Sequence, residues 1–113
     1  MDEPVFLPAG DGERIRAYRV LGELADVEAI ELSFPADFEG VDPHTHADHT
    51  DSFYVLEGEV EFFFGGEWHR AGPGAYVSIP RNVEHGFRPA GTAIRLLNFH
   101  TPHVGFVDSL RND

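Results

Sequence analysis

Residues 44–64 read HTHADHTDSFYVLEGEVEFFF. Two segments rich in aromatic and β-branched residues, 53–57 and 59–64, are separated by a single glycine, Gly58. Glycine supplies the positive φ that a tight hairpin turn requires, so the stretch predicts two consecutive antiparallel strands. Histidines and aspartates crowd the positions just before the first of these strands. The stretch therefore indicates β structure with a group of candidate metal ligands at one end.

The same rhythm continues along the rest of the chain. Twelve glycines and eight prolines divide the 113 residues into short segments rich in Val, Ile, Phe and Tyr, which is typical of an all-β domain. Further strands are predicted at residues 4–7, 14–21, 27–34, 67–70, 75–79, 85–88 and 94–99. Within residues 27–34, alternation with a period of two predicts an inward face formed by Glu28, Ile30, Leu32 and Phe34.

Length and composition favour one domain over residues 1–113 with a single hydrophobic core. Hydrophobic residues make up 42% of the chain and cysteine is absent, so packing rather than disulfides must stabilise the fold. Thiolate sites are excluded as well, which leaves histidine and carboxylate side chains as metal ligands. The tail predicts one short helical turn whose shared face carries Phe106, Val107 and Leu110.

Twenty acidic and eight basic residues give the chain a formal net charge of −12. A surface of this sign repels phosphate backbones and anionic lipids, so we expect neither nucleic acid nor a membrane as a partner. The first residues, MDEP, lack the positive start and apolar run of a secretory signal. No segment approaches the roughly 20 apolar residues of a membrane span. We therefore expect a soluble, cytoplasmic protein.

The pair His44 and His46 is the first part of a candidate metal site. At i and i+2 on an extended strand, two imidazoles lie on the same face and can meet one ion. Asp51 follows after a four-residue step, and His85 is expected on a neighbouring strand. Three imidazoles and one carboxylate suit one divalent transition metal ion, namely Fe, Mn, Ni, Co, Cu or Zn. Taken alone, the His-x-His pair fits a solvated turn equally well.

Residues 40–91 resemble the two sequence motifs of the cupin superfamily. The first motif, at about residues 40–58, matches at His44, His46, Asp51 and Gly58. The second, at about residues 74–89, matches at Gly74, Pro80 and His85. This resemblance is to small single-domain cupins, and it implies a jelly-roll barrel, also called a double-stranded β-helix. It also implies a metal ion held by His44, His46, Asp51 and His85.

Four positions depart from the pattern of that superfamily, one of them Phe38, which stands where the opening glycine of the first motif is usual, with Gly40 two residues later. Asp51 stands where glutamate is usual, and the shorter side chain leaves three alternatives: direct binding after a small backbone shift, binding through a water, or a centre of three histidines. His49 is an alternative ligand, although an exposed loop histidine is the main interpretation. Asn82 replaces a glycine, and asparagine tolerates the left-handed region that the turn demands. Pro89 replaces an asparagine, with a local effect.

The tail at residues 97–106 is similar to that of quercetin dioxygenase-like cupins. The resemblance implies oxygenation of a small polar substrate, such as an enol, diol or dicarbonyl held by the metal, with Asp51 as both ligand and catalytic proton acceptor. A metal-dependent isomerase or lyase, a non-catalytic barrel that binds or senses a small ligand, and a barrel without metal are alternatives. Resemblance also implies a homodimer that pairs through residues 4–7, since an unpaired edge strand is a liability.

The remaining large and basic side chains have more ordinary expected places. Packed core or pocket wall is expected for Phe62, Phe64, Tyr76, Phe87 and Leu96. We expect Arg88 and Arg95 to point outward, and His100 and His103 to be surface or interface groups.

Overall fold

The computed structural model describes residues 2–113, and these residues form ten strands and one helix. The elements are β1 (Arg14–Ile15), β2 (Tyr18–Glu23), β3 (Glu28–Phe34), β4 (Val41–His44), β5 (Thr50–Glu57), β6 (Val60–Phe64), β7 (Glu67–Ala71), β8 (Tyr76–Ile79), β9 (His85–Pro89), β10 (Ile94–Thr101) and α1 (Phe106–Arg111). Within that range, no helix combines the length and the apolar composition needed to cross a bilayer.

The strands form two antiparallel sheets that pack face to face. One sheet has the order β1-β2-β3-β10-β5-β8 and the other the order β4-β9-β6-β7. Aromatic side chains join the sheets across the core, because Phe53 of the first contacts both Phe62 and Phe87 of the second, with ring centroids 5.4 Å apart in each pair. The predicted all-β jelly roll with a short C-terminal helix is confirmed.

The alternation in β3 is confirmed, because the predicted inward face is buried along its whole length. Helix α1 buries Val107 and Leu110, as its pattern predicts. Gly58 lies in the connection between β5 and β6 at φ +84, where a Cβ would collide with the carbonyl oxygen of Ala93. The predicted hairpin of two paired strands around Gly58 is wrong, because β5 pairs with β10 and β8 in one sheet and β6 pairs with β7 and β9 in the other. Asn82 has φ 67, so it takes the left-handed conformation that its sequence context predicts.

Two strand predictions were wrong, wholly or in part, and one strand of the structure was not predicted. Residues 4–7 form no strand, although they belong to the described part of the chain, and their flanking prolines lack the amide hydrogens that a ladder needs. The strand predicted at 14–21 is broken into β1 and β2, because Arg16 has φ 54 and turns the chain. Strand β4 was not among the predicted segments, since Asp42 and Pro43 have low strand propensity.

Tyr76 was expected in the packed core or a pocket wall; it lies outside the core, since the residue is 63% exposed, but it lines a small cavity with Phe62 and Phe64. It lies on the edge strand β8 opposite Tyr54, on the outer face of the sheet. The inward positions of β8 belong to its neighbours Val77 and Ile79. Phe62, Phe87 and Leu96 are buried as expected.

Candidate metal centre

Strand pairing brings the four predicted ligands to one end of the barrel. His44 ends β4 directly opposite His85, which begins β9. Asp51 lies near the start of β5 in the other sheet. His46 follows β4, and its carbonyl accepts a hydrogen bond of 2.7 Å from the backbone N–H of Asn82. One ligand atom from each of the four side chains lies within 4.8 Å of the others.

The distances within this group are short enough for shared coordination. Nε2 of His44 and Nε2 of His46 are 2.9 Å apart, and Oδ2 of Asp51 is 2.8 Å from Nε2 of His85. The same oxygen is 3.6 Å from Nε2 of His46. Asp51 therefore reaches the three imidazoles despite being one methylene shorter than glutamate.

The rings of His44 and His85 are held by backbone carbonyls. Nδ1 of His44 donates to the carbonyl of Asp42 at 2.7 Å, and Nδ1 of His85 donates to the carbonyl of Val83 at 2.9 Å. A carbonyl only accepts, so in each ring Nδ1 carries the proton and Nε2 faces the cluster. This is how metal-binding histidines are commonly oriented by their outer partners.

The pKa values of Asp51 and His46 favour cation binding, whereas that of His85 opposes it, because its hydrogen bond to the Asp51 carboxylate needs a proton on Nε2 that a metal ion would have to displace. Burial raises the pKa of Asp51, but hydrogen bonds from His85 and Asn98 outweigh it and hold the pKa below its usual value. Burial and the neighbouring His49 lower the pKa of His46 to about 4, so at neutral pH this imidazole is uncharged. The pKa of His85 is raised, because hydrogen bonding to Asp51 and Val83 exceeds the opposing effect of burial.

The cluster opens into a cavity of about 270 Å³ inside the barrel. Apolar side chains form most of its wall, namely Tyr18, Leu32, Val41, Phe53, Phe87, Val104 and Phe106. A site with this shape combines an apolar chamber with a polar end that can bind an ion and a ligand oxygen.

Two further histidines lie in the cavity wall, contrary to expectation. His100 was expected at the surface, but its side chain contacts the site and the residue is 5% exposed. Alternation in β10 was the signal that could have found it, because Ile94, Leu96, Asn98 and His100 share the buried face. His49 was expected in an exposed loop and is also 5% exposed, with its ring centroid 4.3 Å from that of His46. His103, by contrast, keeps a quarter of its side chain exposed.

Arg88 and Arg95 stay outside the cavity, as expected. The guanidinium of Arg88 lies over the Trp68 ring, 3.7 Å from its centroid. Arg95 donates to the carboxylates of Glu31 and Glu57 on the outer face of the sheet. Neither arginine lines the cavity that carries the candidate ligands.

Several known proteins are similar to this chain. It is 27% identical to quercetin 2,3-dioxygenase of Bacillus subtilis (strain 168), over 75% of this chain and 27% of that enzyme. KdgF from Halomonas sp. superposes with a TM-score of 0.75 at 20% identity, covering 92% of this chain and 96% of KdgF. DMSP lyase DddQ from Ruegeria pomeroyi DSS-3 superposes with a TM-score of 0.65 at 26% identity, over 75% of this chain and 46% of the lyase.

Coverage limits what these relatives imply. The chain spans about a quarter of the length of the dioxygenase and less than half of the lyase, so neither activity transfers with the fold. The cupin domain family matches residues 32–100, which is more than half of the 113 residues. That range includes all four predicted ligands and most of the residues that line the cavity, while Tyr18, Val104 and Phe106 lie outside it. The chain therefore belongs to the cupin domain family.

Proposed function

We propose that the chain is a metal-dependent enzyme of the dioxygenase type that acts on a small polar substrate. His44, His46, Asp51 and His85 are the proposed ligands of one divalent transition metal ion. The observation that carries the proposal is their convergence within 4.8 Å at the polar end of an apolar cavity. Three imidazole nitrogens and one carboxylate oxygen form a donor set that suits such an ion.

A redox-active ion in such a site can bring a substrate oxygen and dioxygen together. The protein's own residues then have three tasks. Asp51 is held ionised by hydrogen bonds, so it is available to accept a proton from an enol or diol hydroxyl. The carbonyls of Asp42 and Val83 fix the rings of His44 and His85. The aromatic wall excludes water, which strengthens the electrostatic interactions inside the site.

Cavity size narrows the substrate class. A volume of about 270 Å³ lies just below the roughly 300–1,000 Å³ of most small-molecule pockets. The favoured substrate is therefore compact, with an apolar body against Phe53 and Phe87 and two neighbouring oxygens directed at the ligands. A diol, enol or 1,3-dicarbonyl has this form.

The test combines metal analysis with oxygen uptake. Plasma mass spectrometry of the purified protein is expected to find bound iron, manganese, nickel, cobalt or copper, which the His44→Ala, His85→Ala double variant retains in a smaller amount. His69→Ala is the matched control, because His69 lies on β7 against Phe64 and outside the cluster. Oxygen uptake with small catechols, enediols and 1,3-diketones should follow metal content.

The alternatives predict different results in the same experiment. Bound metal without oxygen uptake or product would favour a ligand-binding barrel. Protein that holds no metal after reloading would contradict the proposal and favour a barrel without metal. Product that forms equally fast without oxygen would favour a lyase or isomerase. That second candidate is supported by the ionised carboxylate of Asp51, a base that needs no oxidant, and by the likeness to a lyase.

We also propose that the chain pairs as a homodimer through residues 4–7. The side chain of Phe6 is 88% exposed, and an apolar side chain in this position favours burial against a partner. Light scattering during gel filtration should give twice the mass of one chain. Phe6→Ser should lower that mass, and a monomer in both proteins would contradict the proposal.

A further inference from the structure

We propose a second divalent cation position beside the first, formed by Nε2 of His49, Nε2 of His100 and Oδ1 of Asp51. Ligand atoms from these three side chains lie within 4.8 Å of one another, and all three residues are buried. Asp51 would then bridge two ions, with one carboxylate oxygen directed at each. This inference goes beyond the proposed function, with which it shares only Asp51.

His100 lies in a row of three side chains across neighbouring strands. It pairs with Glu28 of β3 on one side and with Asp51 of β5 on the other. Nδ1 of His100 donates to Oε1 of Glu28 at 2.9 Å, so in the neutral ring Nε2 carries a lone pair. That lone pair is 3.6 Å from Oδ1 of Asp51. Two acceptors that face each other in a buried place are unfavourable, and a cation between them would satisfy both.

His49 supplies an independent observation that points to the same place. Its Nδ1 donates to Oδ1 of Asp48 at 2.7 Å, which leaves the lone pair on Nε2. Among residues 2–113, no group hydrogen bonds with this buried Nε2. A buried polar atom without a partner is energetically unfavourable, because it has lost its hydrogen bonds to water. The ring centroid of His49 is 5.0 Å from that of His100, and a shared ion would satisfy both nitrogens.

Carboxylates behind the two rings complete the arrangement. Glu28 is fully buried and also accepts a hydrogen bond of 2.8 Å from the backbone N–H of Val107. Burial raises the pKa of Glu28, but the hydrogen bonds from Val107 and His100 lower it by a larger amount. The pKa is therefore below its ordinary value, and the carboxylate is ionised. An imidazole that binds metal through one nitrogen and donates to a carboxylate through the other is a common metal-binding arrangement. Both His100 with Glu28 and His49 with Asp48 have this form.

Asp51 has enough acceptor capacity to serve both positions. Its Oδ2 faces His85, while Oδ1 accepts a hydrogen bond of 2.7 Å from Nδ2 of Asn98. A carboxylate oxygen has two lone pairs, so Oδ1 can keep the bond to Asn98 and still bind an ion. Two imidazoles and one carboxylate oxygen suit zinc, cobalt or another borderline divalent ion. Two ions that share a carboxylate can stabilise two substrate oxygens at once.

The test counts ions with cobalt as the probe. Protein stripped with a chelator is titrated with Co²⁺, followed by visible absorption, and bound cobalt is counted after desalting. The wild-type protein is expected to bind two equivalents, while His49→Ala and His100→Gln each bind one. His69→Ala is the matched control and should still bind two. His49→Ala removes a nitrogen without a protein partner, so it should fold even where His100→Gln does not.

The outcomes separate this inference from the proposed function. The His44→Ala, His85→Ala variant is expected to keep one equivalent, and the spectrum of that ion should be lost when His49→Ala is added. One equivalent in the wild-type protein would overturn the inference, whether or not His49→Ala changes it. In that case a proton on His100, shared between Glu28 and Asp51, accounts for the contact. If the wild-type protein and the His44→Ala, His85→Ala variant both bind two equivalents of Co²⁺, the result would instead contradict the proposed metal centre.

Electron paramagnetic resonance gives a readout that needs no variant. Two Mn²⁺ ions bridged by one carboxylate are magnetically coupled, so the fully loaded wild-type protein should lose the six-line signal of isolated Mn²⁺. An unchanged six-line signal at full loading would overturn the inference.

Discussion

Glu28 and Glu31 are both buried in β3, although they belong to opposite faces of the strand. Glu28 points into the barrel, toward His100. Glu31 lies on the outer face between two arginines, where Nε of Arg19 donates at 3.2 Å and Nη1 of Arg95 donates at 2.9 Å. Both carboxylates are hydrogen bonded, which is the condition under which a buried charge is tolerated. Their roles nevertheless differ, because Glu28 contacts His100 in the cavity wall, whereas Glu31 contacts arginines outside it.

Replacing Glu31 with glutamine is expected to lower the free energy of unfolding by about 1–3 kcal/mol at pH 7, because it removes a charge-assisted partner from two arginines. Chemical unfolding in urea measures this. Glu57→Gln is the matched control, since Glu57 also binds Arg95 but is exposed. It should cost less than about 1 kcal/mol. Equal losses in the two variants would contradict the importance of burial at Glu31.

The same residue predicts a pH dependence of stability. Burial raises the pKa of Glu31, but the hydrogen bonds and charges of Arg19 and Arg95 outweigh it and lower the pKa below the ordinary value of 4.5. A carboxylate with a lowered pKa in the folded state stabilises the fold above its unfolded pKa, and this contribution is lost as pH falls through the folded value. Between pH 5 and pH 3, the stability of wild-type protein should therefore fall more steeply than that of Glu31→Gln. Parallel curves would refute this prediction.

Helix α1 has six residues, which is too few for a stable isolated helix. Its first turn is attached to β3, because Glu28 accepts hydrogen bonds from the backbone N–H groups of Phe106 and Val107. An anionic group at this end also interacts favourably with the helix dipole. The carboxylate that orients His100 thus holds the tail of the chain as well.

Glu28→Gln should loosen this helix and destabilise the metal-free protein by about 1.5–3 kcal/mol, since it weakens hydrogen bonds to a charged group. Hydrogen exchange is the measurement, and the amide of Val107 should lose protection first. Glu61→Gln serves as control, because Glu61 pairs with Arg88 at a half-exposed site. Protection of Val107 that is the same in wild type and Glu28→Gln would show that the contact is not needed.

The connection between β5 and β6, which passes from one sheet to the other, depends on a glycine for two separate reasons. Gly58 has φ +84, and a Cβ there would also collide with the carbonyl of Ala93. Gly91 has φ +92 but nothing within 4 Å of the corresponding position. The two sites therefore separate backbone strain from steric collision.

Gly91→Ala should lower the free energy of unfolding by about 1–2 kcal/mol, through the left-handed backbone alone. Gly58→Ala should lower it by about 2–5 kcal/mol, because overpacking is added to that strain. Urea unfolding of both variants gives the comparison. A smaller loss for Gly58→Ala than for Gly91→Ala would mean that the turn can move away from Ala93.

At the scale of the whole molecule, the two sheets contact each other through the aromatic core and, at one end of the barrel, through the histidine cluster. His44 and His85 belong to the four-stranded sheet, and Asp51 belongs to the six-stranded sheet. An ion bound between them would link the sheets directly. Binding to the folded state alone stabilises that state by an amount that rises with the logarithm of the free ligand concentration above Kd.

Metal is therefore expected to raise the melting temperature. At a free metal concentration one hundred times Kd, binding adds about 2.7 kcal/mol, which for a domain of this size is an increase of roughly 10 °C. Differential scanning calorimetry of chelator-treated protein, with and without Co²⁺, makes the comparison. The increase should be clearly smaller in His44→Ala, His85→Ala. Identical melting curves with and without metal would contradict binding between the sheets.

Much of the fold follows from local features of the sequence. Alternation predicted the inward face of β3. The glycine at position 58 and the asparagine at position 82 predicted left-handed backbone at those positions, and both have a positive φ. The strand predictions failed for segments in which pairing with a neighbouring strand, or its absence, outweighs the local strand propensity. Strand β4 contains Asp42 and Pro43 and exists because β9 offers a partner. Residues 4–7 are apolar enough for a strand but join neither sheet in the part of the chain that the structure describes.

The sequence by itself determined the fold family and the identity and spacing of the candidate ligands His44, His46, Asp51 and His85, because these depend on residue identity and the period of a strand. Only the tertiary structure decided which residues surround them. Glu28 and His100 are 72 positions apart and meet because β3 and β10 pair in one register. Alternation tells which face a side chain occupies but not which strand lies beside it. The burial of His100 against Glu28, on which the proposed second cation position depends, follows from that pairing.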